Sequence, residues 1–315
     1  FDSSTIALPI IPGLLERVRA CSDIARSQFR AVADEIRGGR YHFLGQDWPK
    51  MDGLPDWHLD PISGKRWRDD VFCYSVPFRH NRDYGDVKYV WELNRLQYLQ
   101  FVAAAAACDD DPDLAKLCVS QIRSWIDANP PFKGVNWCSG IELALRIVSF
   151  IVVFSLLPQS SFSGEDRSAI SASLRAHLFW LERYPSRYSS ANNHLIAEAT
   201  AQFILGLLAS ECLGARDAVE YGRNVLNRQG CLQILTDGVP GEQSPTYGAF
   251  AAELLLTAQA IALAAGVKGL APPVLERINL FANFVAWITD RSGNVPRIGD
   301  DDEGRVIAGS GSSND

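Results

Sequence analysis

Residues 139–157 read SGIELALRIVSFIVVFSLL, a segment apolar nearly all round and broken only by Glu142 and Arg146 among charged residues. A helix apolar on every side belongs in an interior, whereas one with a single apolar stripe lies against a core from outside. The next segment is of the second kind. Ser163-Gly164-Glu165-Asp166 has the form of a capping box with Asp in place of Glu or Gln, and the stripe Ile170, Leu174, Leu178, Leu181 follows. The same pairing repeats on both sides. Upstream, Trp91–Ala107 is apolar nearly all round. Asp111-Pro112 (N-cap, then first helical position) then opens a one-stripe helix through Leu114, Leu117, Cys118, Ile122 and Trp125. Downstream, Asn193–Ser210 and Tyr247–Ala265 are apolar on most faces. Each precedes an amphipathic segment, Arg216–Gln229 and Pro273–Thr289.

Four inner helices thus alternate with four outer ones. Consecutive elements tend to be neighbours, so the economical arrangement is all-α: a ring of helical hairpins, an incomplete (α/α) toroid with the inner helices lining its centre. The count disfavours a four-helix bundle. A helical solenoid is the alternative, but no fixed repeat period is visible. An opening helix is expected over residues 12–38, ended by Gly38-Gly39. Residues 40–90 lack periodicity and carry Trp48, Trp57 and Trp67 among Gly, Pro and Asp. They read as a long irregular segment laid across a surface. The expected organisation is therefore 1–90 for the opening helix and Trp-rich segment, 91–295 for the toroid, and 296–315 as a linker, with no clear β region before about residue 295.

Composition bounds the function. With 47% hydrophobic and 21% charged residues, the 315-residue chain can bury a sizeable core. A net charge of −7 without a basic run argues against a nucleic-acid surface. The longest apolar run, Ile147–Leu157, is too short to span a membrane. The seven cysteines include no CxxC pair and fall mostly in apolar helical stretches, so neither a disulfide framework nor a zinc site is indicated.

The polar motifs cluster at one kind of place. Trp91-Glu92-Leu93-Asn94-Arg95, Gly134-Val135-Asn136-Trp137, Ser190-Ala191-Asn192-Asn193-His194 and Gly241–Tyr247 each lead into an inner helix. If the inner helices run parallel, these starts gather at one mouth of the ring. A helix start carries unpaired N–H groups and partial positive charge, which suits an anion such as a substrate carboxylate. Asn193 adds an amide and His194 an imidazole that titrates near neutral pH. Trp91 and Trp137 read equally as core aromatics or as sugar-stacking platforms. Asn192 reads first as a helix cap. Arg95 and Arg146 sit beside acids and read as buried ion pairs. Arg187 precedes the central motif and is a candidate to grip an acidic group. The basic cluster Arg79, His80, Arg82 reads as a solvated patch. The run Asp300-Asp301-Asp302-Glu303-Gly304 has a DxDxG-like spacing that invites calcium. It lacks the rest of an EF-hand loop, so a turn is the preferred reading.

In order along the chain stand Phe43-Leu44-Gly45, Asp56-Trp57…Asp60-Pro61…Gly64…Trp67, Trp91–Arg95, Asn136-Trp137…Glu142…Arg146, Asn192-Asn193-His194-Leu195, Glu242-Gln243-Ser244…Tyr247 and Pro296…Gly299-Asp300…Asp302…Gly304. Together they resemble the helical domain of the heparinase II/III family of polysaccharide lyases. The resemblance implies a β-sandwich domain following the toroid, absent from these 315 residues, with the cleft between the two. It also implies a uronate-containing acidic polysaccharide as partner and a periplasmic or secreted setting. One departure is Tyr247-Gly248, where the family commonly has Tyr followed by His.

A lyase of this kind removes the C5 proton of a uronic acid and expels the 4-linked sugar. The carboxylate must be neutralised as charge develops on it. The resemblance implies Asn193 and His194 for that role and Tyr247 as acid and base. Trp91, Asn136, Trp137, Asn192, Arg187 and Glu242 are the expected substrate contacts. The scheme requires no metal or other cofactor. Two alternatives stand beside it: a toroid glycoside hydrolase built on a pair among Glu92, Glu142 and Glu242, and a non-catalytic saccharide-binding module.

Overall fold

The structure is a computed structural model that describes residues 6–79, 83–188, 191–213, 215–299 and 304–307, with the side chains of 210–212 excepted. The chain divides into two compact units, residues 1–180 with 307–315, and residues 181–306.

The first unit opens with α1 (Leu14–Arg19) and α2 (Asp23–Arg37), where one helix was expected. The break falls at Ser22, whose hydroxyl accepts from the Ala25 N–H and starts α2 afresh. A two-residue antiparallel hairpin follows, β1 (His42–Phe43) with β2 (Gln46–Asp47). Leu44 and Gly45 supply the two positive φ angles, 51° and 69°, that its tight turn needs. This small β element was not expected. The irregular segment after it does more than cover a surface. Trp48, Trp57 and Trp67 are all buried, and the indole N–H of Trp57 donates to the Ser124 hydroxyl.

The run expected as one helix over 91–107 is also two, α3 (Val87–Asn94) and α4 (Tyr98–Asp109), separated at Leu96 with φ 57°. Trp91–Arg95 therefore ends α3 and does not open an inner helix. The next elements follow the sequence closely. Asp111 caps α5 (Pro112–Ala128) by accepting from the Asp113 and Leu114 N–H groups. In α6 (Gly140–Leu156) all 17 residues are buried, as the opening segment requires. Each large apolar side chain so buried contributes roughly 1.5–3 kcal/mol. Ser163 and Asp166 form the reciprocal cap of α7 (Gly164–Arg183). The Ser163 N–H and hydroxyl both donate to Asp166, and the Asp166 N–H donates back to Ser163 Oγ. Within this unit α4 packs on α2, α5 and α6.

The second unit is built from α8 (Asn193–Leu213), α9 (Arg216–Gln233), α10 (Pro245–Ala264) and α11 (Pro272–Ile288). α8 packs against both α9 and α10, and α9 against α11. The α8–α9 crossing is close because glycines face it. A Cβ on Gly222 would lie 2.8 Å from the Ala199 carbonyl oxygen, and one on Gly206 would lie 2.8 Å from the Val219 nitrogen. α10 has the length and hydropathy of a membrane span, but half of that stretch is buried in the protein, the setting of a core helix. Its other face is open, with Leu256 and Leu263 exposed.

Candidate functional site

In the first unit, the α3 end and the α6 start form one polar cluster. Arg95 grips Glu142 with two bonds, Nε to Oε2 at 2.7 Å and Nη2 to Oε1 at 3.0 Å, and also pairs with Glu92. Two carboxylates thus share one guanidinium. Arg146 behaves differently from expectation. It is fully buried yet bonds no acid directly among the described residues, and Glu142 is engaged by Arg95. Its Nε donates to the Asn94 carbonyl, its Nη2 to the Asn136 carbonyl and its Nη1 to His177 Nε2. The guanidinium carbon lies 4.1 Å from the ring centre of Trp125. Burial lowers Arg146 to about 9, so it stays charged at neutral pH. Burial, with the Arg146 charge behind it, drives His177 down to about 3. The ring is therefore neutral and its bare Nε2 accepts.

The expected substrate contacts here divide. Trp137 is fully buried, donates its indole N–H to the Asn129 carbonyl and packs on Phe132 and His177. Asn136 is equally buried and donates to Asn129 Oδ1 and the Trp57 carbonyl. Neither has surface to offer a ligand, which corrects both expectations: they are packing residues of the first unit. Trp91 is half-buried, with its indole N–H fixed on the Val135 carbonyl and its ring against Phe78.

In the second unit, the starts of α8 and α10 meet. Asn192 caps α8 by accepting the His194 N–H on Oδ1 at 3.2 Å. Glu242, in the turn before α10, accepts from Asn192 Nδ2, the Asn193 N–H and Asn193 Nδ2 at 3.2–3.3 Å. The helix-start donors expected to receive a substrate carboxylate are thus already occupied by an internal one. Glu242 is a brace on the two asparagines, in a place where the helix dipole favours negative charge. It also fixes which way the Asn193 amide faces, because the opposite orientation would set oxygen against oxygen. Asn193 Oδ1 is left buried and, among the described residues, without a partner. His194 is half-buried on the same turn. On α10, Ser244 caps by accepting the Tyr247 N–H, so Tyr247 stands in the first turn, half-buried. A side chain on Gly248 would collide with Phe281, 2.6 Å from the Cβ position, and with Pro240, so the histidine common in the family has no room here. Arg187 is exposed. Ser189, Ser190, His80, Arg82 and the acidic run Asp300–Glu303 lie outside the described residues.

Sequence reading passed over Glu198. It is the one charged residue between Leu195 and Ser210, one turn below His194, which is the signal that was available. It is fully buried and accepts from the Ser186 N–H at 2.7 Å and the Ser186 hydroxyl at 2.6 Å, tying the loop that carries Arg187 to α8. Gln233 anchors the same loop from α9 by donating to the Ala191 carbonyl. Burial pushes the Glu198 carboxyl up to about 7, against the lowering effect of the Ser186 bonds.

Two predictions arise directly. Glu242→Ala removes three hydrogen bonds and a charge at the start of α8, and should destabilise the protein by about 1–3 kcal/mol in urea unfolding. An unchanged midpoint would show that the brace does not hold α8. The second concerns pH. Because the folded protein holds the Glu198 proton more tightly than the unfolded chain does, this group's contribution falls as pH rises from about 4.5 to 7. His177 has the opposite sign over part of that window, so the test is a difference between proteins. Relative to wild type, Glu198→Gln should gain on the order of 3 kcal/mol in unfolding free energy between pH 4 and pH 8. Parallel pH profiles would contradict the assignment.

The family model described as Heparinase II/III N-terminus matches residues 39–304. The chain belongs to this family. Among curated relatives in line with that membership, a heparin-sulfate lyase of Bacteroides thetaiotaomicron is 27% identical over 164 residues, 51% of this chain and 23% of the relative. One of Pedobacter heparinus is 25% identical over 175 residues, 53% of this chain and 26% of the relative. The chain thus spans about a quarter of the length of the curated relatives it matches. Among solved structures, the heparan sulfate lyase HepC of Pedobacter heparinus aligns with a TM-score of 0.59 at 18% identity, over 90% of this chain and 44% of that one. An alginate lyase A1-III bound to a tetrasaccharide aligns with a TM-score of 0.52 at 13% identity, over 84% and 79%. At these identities the likeness carries the fold class. The heparinase II/III N-terminal fold is the helical-hairpin, incomplete (α/α) toroid class expected from the alternation of inner and outer helices.

Proposed function

We propose that the chain is the helical part of a polysaccharide lyase that cleaves a uronate-containing polymer by β-elimination. The observation that carries this reading is the junction of α8 and α10. There Asn193 and His194 on one helix start and Tyr247 on the next are held by capping bonds and by Glu242, in a chain of the heparinase II/III family. The Asn193 amide hydrogen and the His194 imidazole would meet the uronate carboxylate as C5 loses its proton, where donors placed for developing charge are worth most. Tyr247 as phenolate would take the C5 proton. The C5 electron pair then forms the C4–C5 double bond, the C4–O bond breaks, and the phenol returns the proton to the leaving oxygen. The scheme uses no metal. Trp91 and Arg187 are the remaining candidates for sugar contact. The reading includes a following β-sandwich domain that completes the cleft, and export to the periplasm or outside the cell, in keeping with the bacterial relatives.

The glycoside hydrolase reading loses ground on a specific observation. Glu92 and Glu142 share the Arg95 guanidinium and Glu242 serves as a brace, so no two of the three are poised as an acid and a base about a bond. Absorbance of the new double bond, followed on a panel of uronate polymers with the longest natural form of the protein, tests the proposal. Rising ultraviolet absorbance supports it. Bound polymer without cleavage across the panel would favour a binding module.

A further inference from the structure

Outside the candidate site, two cysteines far apart in the chain meet at the edge of the first unit. Cys21 lies in the turn between α1 and α2, and Cys108 lies in the last turn of α4. The Val18 carbonyl oxygen receives both the Cys21 N–H at 3.1 Å and the Cys108 thiol at 3.5 Å. The Cys21 thiol is close enough to strengthen the hold of Cys108 on its proton, behind the larger effect of burial. The backbones carrying them are clamped on either side. Arg19 donates to the Ala107 carbonyl at 3.0 Å and pairs with Asp110, while Arg30 makes two bonds to Asp109. Both cysteines are partly exposed, so a small oxidant can reach them.

We propose that Cys21 and Cys108 are a disulfide site, a covalent staple joining the α1–α2 turn to α4 when the protein meets an oxidising environment. Disulfide formation needs sulfurs brought together on backbones that are held in place, and here both residues converge on the Val18 carbonyl oxygen between clamped backbones. The other described cysteines do not match it. Cys138 donates to the backbone oxygen of Cys73, and both are buried; Cys118 is buried within α5. Burial and the neighbouring Cys21 thiol hold the Cys108 proton above the usual range. The thiolate of one cysteine of the pair attacks one sulfur of a disulfide oxidant and expels the other as a thiolate. The second cysteine, deprotonated, then attacks the protein sulfur of the mixed disulfide and expels the remaining half. Two protein thiols become one disulfide, two protons are released, and two electrons reduce the oxidant. The staple closes a long loop, which is where a cross-link restrains the unfolded chain most. It is independent of the proposed activity.

The test uses the full chain equilibrated with oxidised glutathione, acid-quenched, and alkylated with N-ethylmaleimide in denaturant. The expected intact mass corresponds to five of the seven cysteines alkylated, with a peptide linking Cys21 to Cys108. Reduction should restore seven and lower Tm by about 4 °C or more. The Cys21→Ser variant should alkylate at all six remaining positions. Seven alkylated cysteines after oxidation, a stable glutathione adduct on Cys21 or Cys108, or a link through any other pair would overturn the proposal.

Discussion

Tyr247→Phe is expected to reduce turnover on a uronate polymer by about 10²–10⁴-fold while leaving KM within a few-fold of wild type. The substitution deletes one oxygen. The cap that seats the residue is a backbone N–H donated to Ser244 Oγ, so the first turn of α10 should be preserved. The loss should therefore fall on the chemical step. Asn193→Ala should cost about 10²–10³-fold, the range for removing one donor from a site of developing charge. It should also lower stability, because Asn193 is buried and bonded to Glu242. The contrast between the two variants separates a reacting group from one that also holds the fold. A Tyr247→Phe protein that retains full turnover would remove Tyr247 from the mechanism.

The largest stability effect is expected at the α8–α9 crossing. Gly222→Val should destabilise by at least about 3 kcal/mol in urea or thermal unfolding. The Cβ position is 2.8 Å from the Ala199 carbonyl oxygen, 2.8 Å from Phe203 Cβ and 2.9 Å from the Phe203 nitrogen. Two of these are backbone atoms of α8, so no rotamer change relieves the contact and the helices must separate. Alanine shows how the opposing terms compare. It gains about 1 kcal/mol of helix propensity over glycine, yet Gly222→Ala should still be destabilising, since its Cβ meets the same atoms. A neutral or stabilising alanine would mean that α8 and α9 are not packed this closely. The crossing bears on the proposed function because α8 carries Asn193 and His194 at its start.

How much of this was legible beforehand depended on whether the deciding contacts were local. Asp111-Pro112 and Ser163…Asp166 announced helix starts because a cap and its hydrogen-bond partners lie within three residues. The burial of α6 followed from its composition alone. The break at Leu96 was invisible, since no Gly or Pro marks it and an apolar run hides a bend as readily as it hides a helix. The hairpin at Leu44-Gly45 was missed because two-residue strands leave too little alternation to detect. At the candidate site, residue types pointed to the starts of α8 and α10, but partners did not follow from spacing. Glu242 reaches Asn193 across 49 positions, and Arg146 is satisfied by carbonyls and a neutral histidine where an acid was expected. Trp137 could be read as platform or core from sequence, and only its burial decides. Glu198 lay in plain view as a lone acid in an apolar helix. Its meaning depended on Ser186, twelve residues back across a loop.

The central claim is elimination, and the mass of the cleaved product tests it most directly. A defined uronate oligosaccharide, incubated with the longest natural form of the protein, should yield one fragment lighter by a water molecule than the fragment hydrolysis would give. That fragment should carry the ultraviolet absorbance of an unsaturated uronate, and Tyr247→Phe should abolish its appearance. Fragments that all carry the added water, with no absorbance, would contradict the account and return the Glu92, Glu142 and Glu242 carboxylates to consideration.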